Sequence, residues 1–337
     1  MNKTLRRTLL GVGLGVVLYA AGALWFGVAE IEASLRTMHL RGLWIALAMS
    51  SLAYMFRFLK WELSLRWLQV RRAPLDQPLG LRASAAIFLA GLSMSVTPGK
   101  LGEVVRSSLL KSNHGVPFTK TAPFVVADRA ADVIALVCFC LLGLGTIAGI
   151  AGYVWAAALL VSVGVLVLGN RSLSKKLTAT LSTIPRLSRF SDRIEGLLQS
   201  ARVLLHPRRL AILSVLSLFA WGLECAGYMF ILNSFPQIDI DLRTCVLLWS
   251  STTLIGAISF LPGGLGATEG SLGVLATRLV PGLGTHAAIA STFVIRAATL
   301  WFGELVGAIA LWRCVARAPS TAPTTAGDPD IDQGAGG

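Results

Sequence analysis

Charge is what this sequence has least of. Asp, Glu, Lys and Arg make up 14% of its 337 residues, where an ordinary soluble domain carries about a quarter. That is too little to cover a water-facing surface, and a soluble globular protein is excluded. The shortage is mostly acidic, with 17 Asp and Glu against 30 Lys and Arg. Cysteine is sparse too. Cys138, Cys140, Cys225 and Cys245 lie within apolar segments and Cys314 just past the last one, without CxxC or metal-ligand spacing. A disulfide scaffold and a zinc site are therefore not expected, and the cysteines read as buried apolar fillers. No GxxxxGK[ST] run occurs, so ATP is not the energy source within this chain. His39, His114, His206 and His286 fall in loops or at segment ends and read as solvated. No Ser/His/Asp spacing and no metal cluster accompanies them, and neither a metal nor a cofactor is expected.

What is present is long apolar blocks. Leu9 to Val28 carries no charge, Ala130 to Gly169 only Asp132, and Leu210 to Phe235 only Glu224. About 20 apolar residues cross a ~30 Å hydrocarbon core as a helix. The expected fold is an all-α polytopic membrane protein, with full spans near 6–28, 42–60, 119–149, 152–170, 209–234 and 286–313. The basic, then apolar, N-terminus resembles a signal peptide, but its apolar run is too long for one and reads as an uncleaved first span. Residues 318–337, mostly Pro, Thr, Ala, Gly and Asp, have almost nothing to bury and are expected to be a disordered tail.

The net charge of +13 raises the question of nucleic acid, and its distribution answers it. Nine Lys and Arg lie between Arg171 and Arg209 against Asp192 and Glu195, in a loop between two apolar blocks. Cytoplasmic loops gather such charge, and anionic lipid heads are its secondary partners. No nucleic-acid partner is expected.

Two apolar stretches do not read as plain spans. Residues 82–111 break at Thr97-Pro98-Gly99, and residues 242–280 break at Pro262-Gly263-Gly264. Proline removes a backbone donor and glycine lets the chain reverse. The positive-inside rule puts the N-terminus, the stretch from Arg57 to Arg72 and the 171–209 loop on one side. Parity then requires both broken stretches to enter and return as re-entrant hairpins, with both termini cytoplasmic. The breaks also repeat each other. Thr97-Pro98-Gly99-Lys100-Leu101-Gly102 aligns with Leu261-Pro262-Gly263-Gly264-Leu265-Gly266 at an offset of 164, and Arg129-Ala130-Ala131 with Arg296-Ala297-Ala298 at 167. The expected organisation is a membrane domain over 1–317 containing an inverted repeat, its halves near 82–149 and 242–313. Broken helices in an inverted repeat point to a transport site near the midplane. The plainer alternative is that Pro and Gly only kink ordinary spans.

Charges inside apolar segments sharpen the reading. Asp128, Arg129, Asp132, Glu224, Arg296 and Glu304 lie in or at the margins of expected spans, and Glu103, Arg106 and Glu269 follow the breaks. Each costs roughly 2.5–3.5 kcal/mol at mid-bilayer unless paired, wetted or liganded. Asp128 and Asp132 share a helical face, whereas Arg129 points about 100° away from Asp128 and can serve a different neighbour. Glu103, Arg106, Asp128, Arg129, Asp132, Glu269 and Arg296 are expected to line one polar cavity. Lys100 and the arginines would hold a lipid phosphate, helped by free N–H groups after each turn. The alternative is that these charges only lock hairpin to span.

The segments TPGKLGEVVRSSLL, VVADRAADVIALV, SFLPGGLGATEGSLGVL and FVIRAATLWFGELVG together resemble the lysylphosphatidylglycerol synthase transmembrane-region family, over residues from about 5 to 315. The resemblance implies a flippase-like protein of the cytoplasmic (inner) membrane, moving a phospholipid or a polyprenyl- or glycolipid intermediate between leaflets. The full synthase carries a soluble aminoacyl-transfer domain after its membrane region. This sequence stops about 20 residues past the last expected span, and that reaction is not expected of it. Two other readings stay open. One is an intramembrane enzyme acting on a polyprenyl phosphate or pyrophosphate, since Pro98-Gly99 with Arg106-Ser107-Ser108, and Asp128 with Asp132, loosely match a phosphatase loop and its paired acids. The other is a non-catalytic partner of a lipid- or glycan-modifying enzyme.

Overall fold

A computed structural model describes residues 27–72, 75, 77–96, 104–143, 152, 159, 163, 191–259 and 261–316. The expected spans at 6–28 and 152–170 and the tail at 318–337 lie almost wholly outside them. So do Pro98, Gly99, Lys100, Gly102 and Glu103. Among the described residues the chain is helical, without strands.

α1 (Val28–Thr37) precedes α2 (Arg41–Trp67), a helix of 27 residues. α3 (Leu81–Ala90) tightens into a 3₁₀ turn at Gly91–Met94, and the next described helix is α4 (Val104–His114). A short α5 (Phe118–Thr121) leads into α6 (Phe124–Gly143). α7 (Ser191–Leu204) and α8 (Pro207–Leu232) come next. α9 (Leu242–Ile258) and α10 (Ala267–Leu279) flank the second break. α11 (Thr285–Arg296) and α12 (Phe302–Ala316) are joined through a π turn at Ala297–Trp301 into one helix.

Three of these helices are long and apolar enough to cross a membrane: Arg41–Trp67, Pro207–Leu232 and Thr285–Cys314. Their outer faces carry stripes of exposed apolar side chains. On α2 the stripe is Trp44, Leu52, Met55 and Leu59; on α8 it is Ile212, Val215 and Phe219; on α12 it is Leu305, Ile309 and Trp312. Trp44 is 67% and Trp312 71% exposed. A monomer in water rarely exposes such stripes. In lipid they face a matching solvent, and the chain is a membrane protein with several apolar helices.

Inside the bundle, small residues let backbones approach, as membrane helix contacts require. α2 packs along α8, where a Cβ on Gly42 would stand 2.5 Å from the Phe230 carbonyl oxygen. α6 and α9 pack on α8, and α3 packs against α12. One apolar core gathers Tyr228, Trp249 and Ile231 where α8 meets α9; a second gathers Trp61, Phe88, Phe124 and Leu110. There Trp61 meets Phe124 edge-on at 5.1 Å and donates its indole N–H to Ser84 Oγ at 3.0 Å.

Some sequence expectations fail here. α2 runs to Trp67, not to residue 60, and Arg57 and Lys60 belong to its interior. Lys60 is fully buried, and it is Arg66, Arg71 and Arg72 that remain exposed. His114, the last residue of α4, is buried with Nδ1 3.0 Å from the Gln77 carbonyl, and is not solvated. Cys138 is exposed on the surface of α6, not a core filler; Cys140, Cys225 and Cys245 are buried.

Candidate functional site

The second break is built by its glycines. Gly263 has φ 61, Gly264 φ 68 and Gly266 φ 85, a left-handed region that residues with a Cβ rarely enter. The chain thereby reverses between α9 and α10, which then pack together. The approach is close: a Cβ on Gly256 would lie 2.0 Å from Thr268 Oγ1. Glu269 stands at the start of α10 and its Oε2 accepts the Gly266 N–H at 2.7 Å. Its other oxygen accepts from Arg296 Nε at 2.6 Å, and Arg296 Nη2 donates to the Gly263 carbonyl at 2.8 Å. One arginine of α11 therefore fastens both the turn and the helix behind it.

The first break approaches from the other repeat. Arg106 of α4 lies against the end of α3, where its Nε donates to the Phe88 carbonyl at 3.1 Å and its guanidinium covers the Phe88 ring at 4.3 Å. A cation there complements the negative end of the helix dipole. Beyond it, the Val96 N–H donates to Glu304 Oε1 of α12 at 2.8 Å. Val96, the last described residue before the first break, meets the second break: a Cβ on Gly263 would stand 3.3 Å from Val96 Cα.

Beside them is a charge cluster on three helices. Lys60 Nζ of α2 reaches Asp128 Oδ1 at 2.5 Å and Asp132 Oδ1 at 2.8 Å on α6, and donates to Ser217 Oγ of α8 at 2.8 Å. Ser217 passes its own proton to Asp132 Oδ1. Arg129 Nη2 lies 2.8 Å from Asp128 Oδ2 and 3.0 Å from Asp132 Oδ2. The acids of its own helix are thus among its partners, since a long, flexible side chain folds back over the angle that separates them. Arg57 donates to Glu224 Oε1 at 2.8 Å, lies 3.8 Å from Asp132 Oδ2 and covers the Trp221 ring at 4.6 Å. Trp249 Nε1 donates to Glu224 Oε2 at 3.3 Å. Three cations meet three carboxylates, as buried charges must to persist in an apolar medium.

Between the breaks and this cluster lies a cavity of about 350 Å³. Arg57, Arg106, Arg129 and Arg296 line it, with Asp128, Asp132 and Glu224, and the turn glycines Gly263 and Gly264 contribute backbone. Of the residues singled out from sequence, Arg106, Asp128, Arg129, Asp132 and Arg296 are brought to this one space. Glu269 stands behind Arg296, off the wall. Lys100 and Glu103 fall outside the described residues. Arg57, Lys60, Trp221 and Tyr54 were missed. The signal for the first two was available: within Phe56-Arg57-Phe58-Leu59-Lys60-Trp61 the charges are spaced i, i+3 in an apolar, aromatic run, which is an interior helical pattern and not a loop.

Residues 9–307 match the family described as the lysylphosphatidylglycerol synthase TM region. The chain belongs to this family. A UPF0104 membrane protein of Methanothermobacter thermautotrophicus is 27% identical over 326 residues, covering 88% of this chain and 93% of that protein. A UPF0104 membrane protein of Pyrococcus horikoshii is 24% identical over 328 residues, covering 88% and 94%. The match to the synthase TM-region family takes in every helix that lines the cavity, α12 through Gly303 included.

Proposed function

We propose that this chain is a lipid translocase, a flippase or scramblase that passes an anionic phosphate headgroup across the cytoplasmic membrane. The observation that carries the reading is the arginine-lined cavity wedged between two helix breaks inside an otherwise apolar bundle. A guanidinium fork suits phosphate oxygens in a way an ammonium does not, and the acyl tails can stay in lipid while the head crosses. In this reading the broken stretches are re-entrant hairpins of an inverted repeat alongside about six full spans, with both termini and the 171–209 loop cytoplasmic. Arg106, Arg129 and Arg296 hold the phosphate with Lys100. Glu103, Asp128, Asp132 and Glu269 position them or take a cationic headgroup. The lipid is a phospholipid or a polyprenyl-linked intermediate, and an enzyme that makes or modifies it is the natural partner.

The phosphatase reading draws less support. Asp128 and Asp132 line the cavity but are occupied by Lys60 and Arg129, cations of their own chain.

The test is a headgroup-accessibility assay in proteoliposomes with a panel of lipids, run on the parent and on Arg129→Lys and Arg296→Lys. Charge is kept and the fork is lost, so the expected result is folded protein with transport slowed at least about tenfold. Folded variants that match the parent would make the arginines structural. Phosphate release from a polyprenyl pyrophosphate by the parent would replace the translocase with an enzyme.

A further inference from the structure

Glu304 belongs to neither the charge cluster nor the Arg296 clamp. It is 5% exposed on α12. Among the described residues no Lys, Arg or His lies within ion-pair distance of its carboxylate. Its hydrogen-bond partner is a backbone one, the Val96 N–H at 2.8 Å. A carboxylate in such a place bears a high desolvation penalty with an amide dipole to offset it. Its protonation state is therefore tied to whether that amide stays aimed at it.

The surroundings fix what else bears on that proton. From α2, Tyr54 faces the site, its hydroxyl donating to the Thr299 carbonyl at 2.6 Å and its ring stacked on Phe302; Arg57 and Glu224 act beyond it. α3 offers only Arg82, exposed at its start, while the Gly91–Met94 and Ala297–Trp301 turns carry no ionisable side chain. On the rod itself, Arg296 lies just before the π turn and is engaged by Glu269 and the Gly263 carbonyl, while Arg313 lies in the last turn of α12. Lys100 and Glu103 follow the break in sequence. A proton has a route, because Ser95, Thr299 and Gly303, the residues around Glu304, line the cavity.

We propose that Glu304 is the proton-binding site of this transporter, and that its protonation releases the Val96 amide at the end of the segment that follows α3. As a carboxylate it holds the Val96 N–H through a charge-assisted bond; as a neutral acid it is a much weaker acceptor. Hydronium in the cavity gives up its proton to Glu304 and leaves as water, and the tether at Val96 slackens. The second break is held by Arg296, whose charge does not change in the physiological range. Proton binding thus loosens the Val96 contact and leaves the second break fixed, which is the asymmetry a transport cycle needs. The inference rests on the translocase reading, and it supplies an energy source where no nucleotide motif exists.

The experiment has two readouts on parent, Glu304→Gln and Glu304→Asp. Infrared difference spectra of the reconstituted protein between mildly acidic and mildly alkaline pH report the carboxyl directly. A protonated-carboxyl band that titrates in the parent, shifts in Glu304→Asp and is missing in Glu304→Gln is expected; its persistence in Glu304→Gln, or no titration in the parent, overturns the proposal. Lipid transport over the same pH range should vary about tenfold in the parent and be flat in Glu304→Gln. A parent that moves lipid at one rate throughout, or a Glu304→Gln variant with the parental profile, also overturns it. If no variant moves lipid at any pH, the translocase reading has failed, and the infrared titration still decides the proton site.

Discussion

The two repeats carry the same Arg-Ala-Ala motif and wire it differently. In the first, Arg129 turns back onto Asp128 and Asp132, and the acids are carried outward to α2 and α8 through Lys60, Arg57 and Ser217. In the second, Arg296 stays local, joining Glu269 and the Gly263 carbonyl of its own hairpin. The first network is a cross-brace between long helices, whereas the second is a clamp on a turn. A repeated motif therefore does not bring repeated contacts, because Lys60, Arg57 and Ser217 come from elements outside the repeat.

The comparison makes graded predictions. Lys60→Met should be the most damaging, since it leaves Asp128 and Asp132 buried side by side with one cation fewer. Stranding one side of a buried pair costs about 3–5 kcal/mol, which a thermal melt in detergent would record as a large drop or as loss of folded protein. Melting no lower than the parent's would end the brace interpretation. Glu269→Gln keeps the shape and weakens the clamp, at a cost of about 1–3 kcal/mol. Its signature is local: faster hydrogen exchange over 262–269, with α2 and α8 unchanged. Exchange that rises throughout the bundle would mean the second network is a brace as well. Tyr54→Phe removes only the hydroxyl that meets the Thr299 carbonyl and should cost about 0.5–1.5 kcal/mol, a small shift in the same melt. A larger loss would show that Tyr54 belongs to the first network.

The backbone features were legible because Pro and Gly act locally. Pro262-Gly263-Gly264 announces a break from sequence alone, and the turn glycines have the positive φ that the motif requires. The acids and arginines in apolar segments were legible because charge there is costly enough to be conspicuous. What sequence could not supply was partnership. Arg57 and Lys60 carry an interior helical spacing, but it does not name Glu224, Asp128 or Asp132 as their partners. Glu224 was visible as an odd charge, but its link to Arg57 and Trp249 spans residues far apart in the chain. Arg129's contacts with Asp128 and Asp132 were not legible because helical phase places a Cβ, while several rotatable bonds separate that atom from the guanidinium.

The π turn at Ala297–Trp301 acts as a phase adjuster on the longest helix. Eight residues separate Arg296 from Glu304, and on an uninterrupted α-helix they would point about 80° apart. One extra residue in a widened turn takes back about 100° and leaves them about 20° apart. A single rod thereby presents a cation and an anion on one side, one gripping a carbonyl of the second break and the other an amide of the first. The rod behaves like a key with two teeth: rotating it about its own axis would withdraw both at once.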